Sequence, residues 1–164
     1  MASWAARCFE QIRYSCAMAK NPITILGGGP ALGYSPSGPA HCPVEDIAYM
    51  RSIAEIEIFS PANDNITERI VDLTCNKQKL RYIRLERSYP KILDSCYSNT
   101  VVDDILLNKG MCKIKKGVGK KVQDVCIVSS GYMLDRALEV ADKLEKVGYM
   151  VSVLDLFKLF AFLC

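Results

Sequence analysis

Hydrophobic residues return near helical spacing from Ser3 to Lys20, at Trp4, Cys8, Ile12, Tyr14, Cys16 and Met18. Ser3 suits an N-cap and Asn21-Pro22 supplies a stop, so the spacing predicts a helix over Ser3 to Lys20. The pattern then changes to a short apolar run, Ile23-Thr24-Ile25-Leu26, of the kind a buried strand shows. Gly27-Gly28-Gly29-Pro30 and the further Gly and Pro residues up to Pro39 impose a long irregular loop, the sort of segment that binds ligands. Pro43 suits a first helical turn, Glu45 and Asp46 complement the positive end of a helix dipole, and Ile47, Met50 and Ile53 supply apolar positions. That helix is expected to end near Ser52. Glu55-Ile56-Glu57-Ile58-Phe59 alternates as a strand, Asn63 or Asp64 can cap a helix reaching about Cys75, and Leu80 to Leu85 alternates again. Strand, helix and strand in succession predict parallel pairing.

Between Ser88 and Gly119 the periodicity weakens, leaving room for a short strand pair around Met111 to Ile114. Val122 to Val128 then reads as a strand, Tyr132 to Val147 as an amphipathic helix closed by Gly148, and Tyr149 to Leu154 as a further strand. The expected fold class is α/β, built of parallel-sheet βαβ units whose crossovers are right-handed. Residues 1–88 form the first expected domain, 89–118 a linker and 119–164 the opening of a second. Phe157 to Cys164 is apolar and uncapped, and reads as an end cut off inside a larger domain, expected to be frayed, sticky or buried against a partner.

Half of the 164 residues are hydrophobic, which provides for a substantial core. No window approaches the roughly 20 apolar residues of a membrane helix, and the N-terminus lacks a basic region followed by an apolar stretch. A soluble, unexported, cytoplasmic protein is therefore expected. Eight cysteines are scattered with no Cys-x-x-Cys pair, and in that compartment they read as reduced, mostly buried small hydrophobes. The net charge of +3 is too small for a nucleic-acid footprint, and no aromatic residue interleaves with the lysines between Lys109 and Lys121.

The only histidine, His41, lies in Gly38-Pro39-Ala40-His41 after the glycine loop, and its imidazole is the obvious candidate for proton chemistry near neutral pH. Gly27 to Gly33 superficially meets a dinucleotide-binding pattern. Pro30 and the glycines and prolines after it keep a helix from starting there. The following strand ends in Phe59-Ser60-Pro61 where a ribose-binding acid would be expected, which argues against a nucleotide site. Arg84 and Glu86, two strand positions apart, read as a surface ion pair.

Several motifs recur in register with one enzyme family. Ala2 to Arg13, the glycine loop, Gly38-Pro39-Ala40-His41, Val44 to Ile53, Phe59-Ser60-Pro61-Ala62 and Tyr82 to Arg87 resemble the transketolases, whose layout the deoxyxylulose-phosphate synthases share. Val125 to Tyr132 and Val151 to Leu156 resemble the opening of that family's C-terminal domain. The resemblance implies the later part of a pyrimidine-binding domain, up to about Ser88, followed by the first βαβ unit of the third domain. It implies thiamine diphosphate held between that domain and a diphosphate-binding domain, normally from another subunit. The implied reaction cleaves a ketose and transfers a two-carbon ketol unit between sugar phosphates.

Carried over by the resemblance, His41 lies near the aminopyrimidine and reacting oxygens, where it donates or relays a proton. Trp4 matches an aromatic position on which the pyrimidine stacks, and Arg87 an arginine that grips the sugar phosphate. Ser37 stands at a substrate-binding position where the family usually has Asp, so a hydroxyl-reading carboxylate is missing. Gly29 replaces a frequent histidine or arginine, Ala40 a Thr or Ser, and Ala54-Glu55 a Pro-Asn pair. The family's Gly-Asp-Gly…Asn motif for diphosphate and metal is absent, and the glutamate that activates the pyrimidine would precede Met1. No metal is therefore expected on this chain; magnesium or calcium belongs on a partner chain carrying the diphosphate-binding domain, or on a second copy of a longer parent enzyme. The alternative is a non-catalytic interaction or regulatory module that keeps the fold. Neither nucleic acid nor membrane is an expected partner.

Overall fold

Three short strands run parallel in the first sheet of the computed structural model, which describes residues 4–33, 35–87, 109–115 and 123–159. They are β1 (Thr24–Gly28), β2 (Glu57–Phe59) and β3 (Arg81–Leu85), in the order β1-β3-β2. Thr24 to Gly28 pair with Arg81 to Leu85, and Glu57 to Phe59 with Arg81 to Ile83. Strand β3 is central, and its successive residues Tyr82 and Ile83, which point to opposite faces, are both fully buried.

The predicted N-terminal helix is interrupted. Helix α1 (Trp4–Arg7) and helix α2 (Phe9–Gln11) flank a break at Cys8, and Ile12–Met18 continues as a π-helix. Ser3 lies outside the described residues. The stop falls where expected: Lys20 takes a left-handed φ of 54°, and the Asn21 side-chain amide donates to the Ser15 carbonyl at 2.6 Å. Helix α3 (Asp46–Arg51) begins later than Pro43 suggested, and β2 begins later than Glu55, whose φ of 61° is incompatible with a strand. Ala5, Ile12, Ile25, Met50, Ile58 and Tyr82 belong to one buried cluster.

The chain divides into two compact units: Met1–Ser60, Cys75–Ser88 and Lys158–Cys164 form the first, and Pro61–Thr74 and Tyr89–Phe157 the second. Helix α4 (Asp64–Thr74) belongs to the second and follows the expected cap: Asn63 Oδ1 accepts from the Ile66 amide at 3.0 Å. The second sheet has the order β4-β6-β5, from β4 (Met111–Lys115), β5 (Val125–Ser129) and β6 (Val151–Leu156). Strands β5 and β6 are parallel around helix α5 (Met133–Lys146), which presents Leu134, Ala137 and Ala141 as its buried stripe and gives way to Gly148 at φ 98°. Instead of the strand pair expected near Met111, the single strand β4 lies antiparallel to β6, with a register shift between Lys113 and Lys115. The remainder of the expected linker, residues 89–108 and 116–118, lies outside the described residues.

The expectation of a frayed end fails as far as Leu159. Phe157 is fully buried, Lys158 forms an antiparallel bridge with Phe59, and the Leu159 amide donates to the Ile58 carbonyl at 2.8 Å. Cysteine burial also differs from expectation: among the described cysteines Cys8, Cys75 and Cys126 are exposed, only Cys112 is buried, and none forms a disulfide. No described helix is long and apolar enough to cross a membrane.

Candidate functional site

Parallel pairing brings the carboxyl ends of all three strands of the first sheet to one edge, the edge at which open α/β sheets bind ligands. There β1 ends in the glycine loop, β2 in Phe59-Ser60, and β3 in Leu85-Glu86-Arg87. The amide of Gly29 donates to the Leu85 carbonyl at 2.8 Å, and that of Ala31 to the Pro43 carbonyl at 3.0 Å, so the glycine loop is stitched to β3 and to the segment just after His41. Gly29 and Ala31 take φ of 66° and 49° on either side of Pro30, a left-handed path that bends the chain sharply as it leaves the strand.

His41 closes a 3-10 turn, Pro39–His41, entered through Gly38 at φ 83°. Its imidazole is half-buried, and Nδ1 is enclosed with no hydrogen-bond partner among the described residues. Buried polar atoms are nearly always paired, so an unpartnered ring nitrogen in a loop at this edge is an unmet interaction. Ser37 lies exposed at the end of the preceding turn, Ser35–Ser37, and Arg87 is exposed just past β3. Trp4 opens α1, but its side chain lies outside the described part of the structure. A hollow of about 170 Å³ flanks the His41 turn, lined by Ala5, Pro39, Ala40, Cys42, Asp46 and Tyr49. A larger one of about 550 Å³, including Lys20, Asn21, Glu55, Gln78 and Lys79, opens at the amino ends of the strands instead.

Beneath the edge lies a polar group that the sequence reading missed. Asp46, with its side chain completely enclosed, accepts from the Tyr82 hydroxyl at 2.8 Å, from Arg84 Nε at 2.7 Å and from Arg84 Nη2 at 3.2 Å. Arg84 Nη1 also donates to Ser60 Oγ at 3.4 Å. Arg84 is therefore a largely buried, two-pronged partner of Asp46 and not only half of a surface pair with Glu86. Burial pushes the Tyr82 phenol far above its ordinary value, and the Asp46 carboxylate adds to the shift, so Tyr82 remains a donor. Burial likewise raises the Glu86 carboxyl; Arg84 opposes the rise and Asp46 reinforces it. The period-two spacing of Tyr82, Arg84 and Glu86 was a legible sign that they share a strand face. Their partner Asp46 was not legible.

These two units, each built on a three-stranded sheet with parallel pairing, define an α/β protein. Residues 2–91 match the family model for the transketolase pyrimidine binding domain, and residues 115–162 match that for the transketolase C-terminal domain. The chain belongs to the transketolase family. It is 28% identical over 156 residues to transketolase-like protein 2 of Mus musculus and 30% identical over 156 residues to transketolase of Rattus norvegicus, in each case across 95% of this chain and 23% of the relative. The chain thus spans about a quarter of the length of these curated relatives. Its fold is like that of a transketolase from Campylobacter jejuni, with a TM-score of 0.82 at 21% identity over 97% of this chain and 24% of that one. A split-gene transketolase, an inactive β4 tetramer, gives a TM-score of 0.76 at 30% identity, over 94% of this chain and 46% of that one.

Proposed function

We propose that this chain is the C-terminal section of a thiamine-diphosphate-dependent transketolase that moves a two-carbon ketol unit between sugar phosphates. The catalytic site is completed by another polypeptide carrying the diphosphate- and metal-binding domain, whether a separate partner chain or a second copy of a longer parent enzyme. The observation that carries this reading is the enclosed, unpartnered Nδ1 of His41, on a turn joined through Pro43 and Ala31 to the glycine loop. A polar atom left unmatched at a site edge fits a ring that acquires its partner when a cofactor or substrate arrives. Magnesium or calcium, together with the diphosphate, belongs to the other domain.

Trp4, at the start of α1, would stack on the pyrimidine, and His41 would face the cofactor. Thiamine diphosphate, when bound, supplies a carbon nucleophile that serves as an electron sink for ketose cleavage. His41 holds or passes a proton at the reacting oxygens. Arg87, exposed beyond β3, binds the sugar phosphate through paired guanidinium donors, and Ser37 offers a hydroxyl where a carboxylate would read sugar hydroxyls more strictly. The likeness to a split-gene transketolase supports the need for a second chain.

Calorimetric titration with thiamine diphosphate and magnesium, with and without a polypeptide supplying the missing domain, tests the reading. Tight binding and ketol transfer are expected only in the mixture, with turnover falling about a hundredfold or more in His41→Ala. Absence of binding and turnover in both samples would overturn the enzymatic reading and leave a non-catalytic module of the same fold.

A further inference from the structure

We infer that Asp46 is a positioning residue for His41, acting through a buried Asp46–Tyr82–Arg84 knot that fastens the His41 turn and the glycine loop to the central strand. The inference rests on the proposed role of His41 as a site residue. Among the described residues none bonds the imidazole at Nδ1, so on that side the pose of the ring depends on the backbone that carries it. That backbone is anchored a few residues further on, where Pro43 receives the Ala31 amide and Asp46 starts helix α3.

A fully enclosed carboxylate is costly unless its lone pairs are engaged, and here three donors converge on it. Two of them belong to a bidentate guanidinium, which sets direction as well as distance. All three come from Tyr82 and Arg84 on β3, the strand whose Leu85 carbonyl holds Gly29. The contact with the glycine segment is close. A Cβ at Gly27 would collide with the Tyr82 hydroxyl and lie 2.6 Å from its ring, so residue 27 leaves the space through which Tyr82 reaches Asp46. Both candidate site loops are therefore tied to β3, the His41 segment through the Asp46 side chain and the glycine loop through the Leu85 carbonyl. Apolar packing of the same volume would stabilise the core as well but would not fix direction in this way.

His41 is the only histidine, so the imidazole nitrogen signals of the isotopically labelled full chain belong to it without assignment. In Asp46→Asn and Tyr82→Phe, the ring signals of His41 and the amide signals of His41 and Gly29 are expected to move. Amide exchange at His41 should accelerate about fivefold or more, while the signals of β5 and α5 keep their parent positions. Tyr82→Phe removes a single hydroxyl and keeps the test informative should Asp46→Asn not fold. Unchanged His41 signals in a folded variant would overturn the inference, as would shifts that spread evenly through both units, the mark of general destabilisation. The outcome is separable from the proposed function: displaced His41 signals without cofactor binding in the mixture keep the positioning role and remove the enzyme, and turnover with unmoved signals does the reverse.

Discussion

Tyr82 occupies the space that a side chain at position 27 would fill, which gives the glycine run a different meaning from the one its composition suggests. Gly27 and Gly28 are strand residues, and only Gly29 and the residues after it need a loop's freedom. Local pattern recognised the bend and the histidine beyond it. It read Asp46 as a dipole partner alone, because the residues that claim its carboxylate lie far along the chain. Glu86 carries a measurable consequence of the same crowding. Burial lifts its carboxyl above the ordinary 4.5, so its contribution to stability is complete below the unfolded carboxylate range and is lost as pH rises through the raised value. Glu86→Gln should therefore unfold at a higher denaturant concentration than the parent near neutral pH and match it in acid; urea titrations at about pH 4 and about pH 7.5 check the sign.

Helix α4 shows how far capping rules carry. Two neighbouring residues could have capped it, and the structure selects Asn63, whose side chain accepts from the Ile66 amide while its carbonyl accepts from Thr67 Oγ1. Asn63→Ala should cost about 1 kcal/mol, read as a lower unfolding midpoint, and Asp64→Ala distinctly less. Helix α5 was equally legible, since its buried stripe and terminal glycine are both local signals. The N-terminal helix was legible in extent but not in continuity, because the break at Cys8 and the π-helix after it break no rule of apolar spacing. Strand β4 differs for another reason: its partner β6 lies beyond β5 and α5, whereas hairpin reasoning looks only to near neighbours.

Within the first unit, the chain returns at Lys158 to close an ion cluster around Glu57, 101 positions away. Glu57 accepts from Arg81 Nε at 2.9 Å, Lys158 Nζ at 2.9 Å and Lys79 Nζ at 3.4 Å. Burial pushes its carboxyl up, but the hydrogen bond and charge of Lys158, with the charges of Lys79 and Arg81, outweigh this and hold it below 4.5. The resulting stability is present above the unfolded carboxylate range and lost as pH falls through the lowered value. Glu57→Ala should cost about 3 kcal/mol at neutral pH, since it strands buried cations, and the deficit should shrink in acid denaturation profiles. Hydrophobic period, turn residues and motif order are properties of near neighbours and of the chain's linear sequence. By themselves they determined the α/β class, most elements and the transketolase likeness. Gly27 against Tyr82, Asp46 with Arg84 and Glu57 with Lys158 were decided only by tertiary structure, because folding brings distant residues into spaces where every charge must be matched and every missing atom can be filled.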